Sequence, residues 1–358
     1  MKRILLPICA ISVIVLVLAF PDKAVEYMRS SMQICCEMIV PTLFPFFICS
    51  GILIYSGFCE ALSRLFRFCM KPLFGISPAG ASAFVLGVVS GYPLGAVTAG
   101  QLYESGYISK VEAERLCAFC NNSGPLFVIG SVGAAVYGNI RLGVMLYTAH
   151  VLSALTVGII FRYYKKSAYT APPTVMTSPD RSAGETVSIA LHNAISNMLT
   201  VCGAVVFFGM AGRLLIDLLP IEGAVYSLVS GMVEFVNGTV STAGLDIDMG
   251  HKLVMTAFIV GFGGLSVHAQ VVAVIAKYGF SLVPYFTGML LHGLLAALYT
   301  VIYLYFFPVT EAVFAPAMSR AFCASASCLT AVSVAVMAMG GSALVIRLKK
   351  LALRGIKE

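Results

Sequence analysis

Two adjacent amides, a hydroxyl, a glycine and a proline, Asn121-Asn122-Ser123-Gly124-Pro125, interrupt a stretch that is apolar on both sides. Leu116-Cys117-Ala118-Phe119-Cys120 precedes the run and Leu126-Phe127-Val128-Ile129 follows it. Asn121 and Asn122 each carry donors and an acceptor, so they could contact a carboxylate, a ring nitrogen or a cation. The structural alternative is amide hydrogen bonding between helices. A second polar island, Ser90-Gly91-Tyr92-Pro93, sits within Gly87-Val-Val-Ser-Gly91-Tyr-Pro-Leu-Gly-Ala96. There Ser90, Tyr92 and freed backbone N–H groups could bind an anion at half-helix N-termini, unless the segment is a kinked packing helix with small residues. Glu234, in Glu234-Phe-Val-Asn237-Gly238-Thr239, is the only acidic residue predicted deep in an apolar region. It could bind a coupling cation or carry a proton, the alternative being a buried ion pair. The fourth island is Gly261-Phe-Gly-Gly-Leu-Ser266-Val-His268-Ala-Gln270. On an unwound chain His268 and Gln270 could face one cavity; on a regular helix, two residues apart, they diverge by about 200°.

Other chemistry is missing from the sequence. There is no HExxH zinc helix, no GxSxG elbow, no P-loop ending in GK[ST] and no paired acidic motif. We therefore expect neither an enzyme nor a cofactor. Cys117-Ala-Phe-Cys120 has CxxC spacing but lies in an apolar span, where cysteine packs as a small hydrophobe. His150 and His292 lie on apolar faces and read as packing or interhelical bonds.

Unpaired backbone groups cost several kcal/mol in hydrocarbon, so polar helix breaks survive there only inside protein or beside a polar cavity. That argument applies because the chain is membrane-embedded by composition. Its 358 residues are 59% hydrophobic and 11% charged, and the mean hydropathy is +0.94. A soluble surface needs more charge than this. The apolar runs are about 20 residues long, which excludes the alternating ten-residue strands of a β-barrel. The net charge of +7 falls in short loops and not in a basic stripe with aromatics, so no nucleic-acid partner is expected; the partner is the lipid bilayer.

The elements that must position the four islands are helices. The hydropathy predicts an all-α polytopic membrane protein with eight spans, near 4–20, 36–58, 112–137, 140–163, 193–218, 251–276, 283–306 and 326–347, plus two re-entrant hairpins, near 79–102 and 223–243. With the N-terminus inside, basic residues fall on the inner side, the exceptions being Lys23, Arg29, Arg141, Arg213, Lys252 and Arg320. Both termini are then cytoplasmic, in a multi-pass cell-membrane protein. The polar stretch 165–185 reads as a linker between two halves of one design. His150-Val-Leu-Ser-Ala recurs as His292-Gly-Leu-Leu-Ala, and the Asn121 island falls opposite Gly263-Gly264-Leu-Ser266. An odd number of spans per half makes the repeat an inverted one, the plan of alternating-access carriers. The expected domains are a first helix and outer loop (1–35), two repeats (36–164 and 186–307) about the linker, and a last helix with a basic tail (308–358).

Pro41-Thr-Leu-Phe-Pro-Phe-Phe47, Gly91-Tyr-Pro-Leu-Gly95, Glu112-Ala-Glu-Arg-Leu116 and Phe119-Cys-Asn-Asn-Ser-Gly-Pro125 together resemble the YlbJ-type sporulation integral membrane proteins, which contain the nucleoside-recognition Gate domain. Gly263-Gly264-Leu-Ser266-Val-His268-Ala-Gln270 also looks like that family. The resemblance covers about 36–347 and implies a plan similar to concentrative nucleoside transporters. It further implies a role in endospore formation, moving dipicolinic acid out of the mother cell across the outer forespore membrane. Carried over residue by residue, it makes Ser90, Gly91, Tyr92, Asn121, Asn122, Ser123 and Gly124 substrate or ion contacts, followed by Asn237, Thr239, Ser266, His268 and Gln270. Glu234 would then be a proton or Na+ coupling site, because an unprotonated, unpaired carboxylate repels a dianion. Two other readings stay open, a nucleoside or related metabolite carrier and a structural spore membrane protein without flux.

Overall fold

The computed structural model describes residues 2–55, 58–165 and 182–308, all within the unit Met1–Glu311. The expected last span, the basic tail and most of the linker lie outside the described residues. Among the described residues every regular element is a helix.

The apolar helix α1 (Lys2–Ala19) meets α2 (Pro21–Ile34) at 107°, so the two cannot both stand along a membrane normal. From Pro21 the chain stays helical to Tyr55 through a π turn at Cys35–Ile39 and α3 (Val40–Tyr55). The segment expected as an outer loop before residue 36 is helical from Pro21 to Ile34. Pro41 explains the π turn: it has no N–H, and the Val40 N–H reaches back to the Cys35 carbonyl. A short helix, α4 (Phe58–Leu65), leads to the first polar island.

That island joins α5 (Ala81–Ser90) to α6 (Leu94–Glu104), which double back on each other, with Gly87 against Gly95. Next come α7 (Lys110–Cys117), the Asn121 island, and α8 (Leu126–Val136), wound as a π-helix throughout. The expected span 112–137 is therefore a broken one. It lies antiparallel along α9 (Ile140–Phe161): Gly133 touches Gly143, Ser123 meets His150, and Arg115 meets Tyr164 just past the helix end.

The order then repeats. The long helix α10 (Ala183–Ile216) runs antiparallel to the 21–55 rod, with Gly51 on Ala190, Cys35 on Cys202 and Tyr27 clustered with Met210 and Leu214. The hairpin pair α11 (Gly223–Val233) and α12 (Phe235–Ala243) folds back so that Gly231 meets Gly238 and the Ser227 and Ser241 hydroxyls lie 2.7 Å apart. The interrupted pair α13 (Met249–Phe262) and α14 (Gly264–Ala276) lies along α15 (Leu282–Phe306), with Gly261 on Gly293 and His268 on Tyr285.

The hairpins open at opposite ends. Hairpin α5–α6 opens where Glu112 accepts from the Ser77 N–H and Tyr278 reaches Glu104. Hairpin α11–α12 opens where Lys252 reaches the Ala243 carbonyl. Among the described residues four helices are long and apolar enough to cross a membrane: Ile140–Phe161, Ala183–Ile216, Met249–Ala276 counted across its break, and Leu282–Phe306. The chain is thus an integral membrane protein whose described residues are helical, with several apolar helices, some of them bent or broken.

Candidate functional site

In the first half the hairpin grips the broken segment. Gly87 and Gly95 flank the Cys120 carbonyl so closely that a Cβ on either would overlap its oxygen. Asn121 then spans the contact. Its Oδ1 accepts from the Ala96 N–H at 3.0 Å, capping the first turn of α6 from another segment, and its Nδ2 donates to the Cys117 carbonyl at 3.0 Å. Both ends of this amide are therefore committed to structure. Asn122 commits only one end, donating to the Phe119 carbonyl, while its Oδ1 is buried with no protein partner. Gly91 turns the hairpin at φ +85°, packed against Gly124 N. The Ser123 N–H donates to His150 Nε2 at 3.0 Å, so a neutral His150 ring carries its proton on Nδ1. His292 Nε2 in turn lies 2.9 Å from the His150 carbonyl.

In the second half the hairpin caps itself. Glu234 breaks it in an extended conformation, and its carboxylate accepts from Val236 N–H at 3.2 Å, Asn237 N–H at 2.7 Å and Asn237 Nδ2 at 2.8 Å. These bonds hold a carboxylate at the positive end of α12, where it is favoured. Gly263 and Gly264, both at positive φ, form the other break, and a Cβ on Gly264 would press the Gly231 carbonyl. Helix α14 starts there with no side chain capping its first turn.

The four breaks meet. The Tyr92 hydroxyl donates to the Val260 carbonyl at 2.8 Å and accepts from Ser123 Oγ at 3.1 Å, so one phenol ties the first hairpin to both broken segments. Its ring stands edge-on to Phe235, 5.8 Å away, and Phe127 touches Phe235 at 5.1 Å. Between them lies a cavity of about 30 Å³, lined by Gly91, Tyr92, Ser123, Gly124 and Gln270 and walled by Val201 and Val205 of α10. That volume holds a water or two and no metabolite. Beyond Asn122 Oδ1, a second buried oxygen of this region has no protein partner, Gln270 Oε1. The Ser266 hydroxyl faces the Glu234 carboxylate. An unpaired buried polar atom costs about 1–3 kcal/mol. Fold stability alone therefore does not account for Asn122 Oδ1 and Gln270 Oε1. Among the described residues no three His, Cys, Asp or Glu side chains lie close enough to hold a metal.

The other expected site residues separate. Residues 264–276 form a regular helix, so His268 and Gln270 diverge; Gln270 lines the cavity and His268 Nδ1 pairs with the Tyr285 hydroxyl at 2.8 Å. The expectation of one shared cavity fails because the chain is unwound only at Gly263–Gly264. Thr239 returns its hydroxyl to the Phe235 carbonyl of its own helix. Asn237 serves Glu234, and Ser90 is buried at the end of α5. The interhelical bond expected of His150 is the one that supports the Ser123 break. Sequence reasoning missed a charged knot at the start of α7, with Glu114 and Arg115 buried and Lys165 exposed. Glu114 accepts from the Ser281 N–H at 2.9 Å and pairs with Lys165 at 2.9 Å, which holds that ammonium above the ordinary lysine range. Arg115 donates to the Tyr164 and Gly75 carbonyls. The capping box Ser109-x-x-Glu112 was the available signal.

A family model described as "Gate: Nucleoside recognition" matches residues 36–214. The chain is similar to the sporulation integral membrane protein YlbJ of Bacillus subtilis (strain 168), 30% identical over 321 residues that cover 80% of this chain and 79% of the relative. No solved structure matches the chain. With that match along most of both chains, and the Gate model on the segment that holds the first hairpin and the Asn121 break, this chain belongs to the YlbJ family of sporulation integral membrane proteins.

Proposed function

We propose that the chain is an alternating-access carrier for a small anionic metabolite, with its substrate site where the four helix breaks meet. The observation that carries this is the convergence of two hairpin tips and two broken segments on one small cavity lined by Gln270, whose Oε1 has no protein partner, with the unpartnered Asn122 Oδ1 next to the lining residue Ser123. Broken helices at membrane depth are how secondary carriers build such sites. The hairpins opening at opposite ends favour an inverted repeat in which both are re-entrant, around eight spans with both termini cytoplasmic. The uncapped first turn of α14, beside Ser266 and one turn from Gln270, suits a carboxylate. The small cavity is that of a closed carrier between openings.

Dipicolinic acid is the substrate we favour, carried from the mother cell across the outer forespore membrane. The support is the relative's role in its name, sporulation, together with the site chemistry: a flat dianion fits helix N-termini and neutral donors. Glu234 then carries a proton or pairs with a cation such as Na+ during the cycle. A second reading, a nucleoside carrier, is favoured by the description of the matching family model. A third, a structural spore membrane protein without flux, draws on no particular residue. The deciding experiment measures dipicolinate in spores of a deletion strain complemented with wild type or with Asn122→Ala/Gln270→Ala, checking protein level and mother-cell synthesis. Spores short of dipicolinate, with the variant protein present and synthesis intact, support the carrier. Normal spores would remove the anion site. If the deletion itself leaves dipicolinate normal, uptake of labelled nucleosides becomes the next test.

A further inference from the structure

The central cavity has a neighbour on the same helix surfaces. A surface depression of about 580 Å³ is lined by Ser30, Gln33 and Glu37 of the rod, Val136 of α8, and Val240 and Ala243 of α12. The cavity is lined by the same three elements farther in: Ile39 and Leu43 of the rod, Phe127 of α8, and Phe235 and Val236 of α12. On the rod, Ser30, Ile34, Ile39 and Leu43 form one stripe only because the π turn inserts a five-residue step between Ile34 and Ile39. Without the turn the stripe would rotate by about 100° and the two spaces would face different neighbours. On α12, Val236 and Val240 are one turn apart, about 6 Å.

The seam between α8 and α12 is open at the depression and shut at the cavity, where Phe127 meets Phe235. The opposite end is closed differently. Because α7, the break and α8 lie along α9, the charged knot of Glu114, Arg115 and Lys165 stands at the far end from the depression. There charge-assisted bonds join α7, the chain just past α9 and the start of α15; here the ring contact of Phe127 with Phe235 joins α8 to α12 on the cavity side. Gln33 and Glu37 bond to each other on the exposed wall. An ionisable side chain facing hydrocarbon costs roughly 3 kcal/mol, so this wall suits water better than lipid.

We infer that the depression is the entrance vestibule on the face opposite the Glu114–Lys165 knot, and that the Phe127–Phe235 contact is the gate between vestibule and substrate site. The inference rests on the carrier reading for its purpose, but its test reads water access and not flux. Ala135→Cys, Val240→Cys and Val236→Cys are introduced singly into the full chain. Each is treated with a membrane-impermeant charged methanethiosulfonate on intact cells and on inverted vesicles. Labelling is scored above that of the parent with its native cysteines. We expect Ala135→Cys and Val240→Cys to label from one and the same face, and Val236→Cys to stay unlabelled. Adding Phe127→Ala should speed Val236→Cys labelling from that face at least tenfold. Where Phe127→Ala lowers the amount of protein, Phe127→Leu replaces it. No labelling of Ala135→Cys or Val240→Cys from either face would overturn the vestibule. Unchanged Val236→Cys labelling in a normally produced Phe127 variant would overturn the gate. Both results as expected, in a protein that moves no solute, would keep the passage and remove the carrier.

Discussion

The two halves meet the same structural demand with different chemistry. Each must start a half-helix inside the protein, where the first N–H groups need a partner. In the first half the partner is neutral and comes from elsewhere: Asn121 of the broken segment caps α6 of the hairpin. In the second it is anionic and local: Glu234 caps α12 of its own hairpin. The gripping contacts differ in the same way. Gly87 and Gly95 close on the Cys120 carbonyl of another segment, whereas Gly231 and Gly238 close on each other. The first hairpin is thus locked to its broken segment by backbone contact. The second is complete by itself and touches its broken segment at Gly264 and through Ile259 on Gly231. The difference can be attacked from either side.

The largest effect is expected where the first hairpin is locked. Gly87→Ala or Gly95→Ala forces a Cβ onto a backbone oxygen that no rotamer change can move, and should cost upwards of about 3 kcal/mol. Thermal unfolding in detergent, followed by loss of the monodisperse species, reads this directly. Gly130→Ala, at a position where a Cβ meets nothing within 4 Å, is the control and should change stability by less than about 0.5 kcal/mol. A tolerated Gly87→Ala would dissolve the contrast between the hairpins.

Next come the caps. Asn121→Ala strands the Ala96 N–H and the Cys117 carbonyl and should cost about 2 kcal/mol, lowering protein level and flux together. Glu234→Gln keeps the length and one acceptor, so stability should fall by only about 1 kcal/mol, while transport stops if the carboxylate takes part in coupling. Unchanged transport in Glu234→Gln would reduce Glu234 to a helix cap. A smaller pair sharpens the same point. Ser123→Ala loses its bond to Tyr92 and should cost about 1 kcal/mol, whereas Ser266→Ala loses only its approach to the Glu234 carboxylate, which the Val236 and Asn237 donors still hold. Ser266→Ala should therefore lower flux more than stability, read as transport per amount of protein. Smallest of all is Thr239→Val, which removes only a bond within its own helix turn. It should shift stability by less than about 0.5 kcal/mol and leave flux alone.

Much of this was legible in the sequence. Hydropathy located the long helices, and Gly, Pro and adjacent amides marked all four breaks, because backbone that cannot stay helical announces itself locally. His150 and His292, read as packing or interhelical residues, lie with their rings 4.3 Å apart. Other features were not readable there. Helix α14 is regular one turn past its glycines, so His268 and Gln270 part company, and periodicity around a break cannot say where unwinding stops. The sequence reading also treated Asn121 and Asn122 as equivalent. Only the partner segment, with its Ala96 N–H, consumes one amide and leaves an oxygen of the other unpartnered. The pairing of buried Glu114 with exposed Lys165 was not readable because the two lie 51 residues apart in the chain.

Local composition, then, determined that this protein lives in a membrane, that it is helical, and where its helices must break. Backbone hydrogen bonding is satisfied or lost over four or five residues, and that range is visible in a linear string. Which broken end meets which, which polar atoms those meetings use up, and which are left facing the cavity were decided by tertiary packing. Those outcomes depend on contacts between residues 25 to 168 positions apart, as the Asn121–Ala96 and Tyr92–Val260 bonds show.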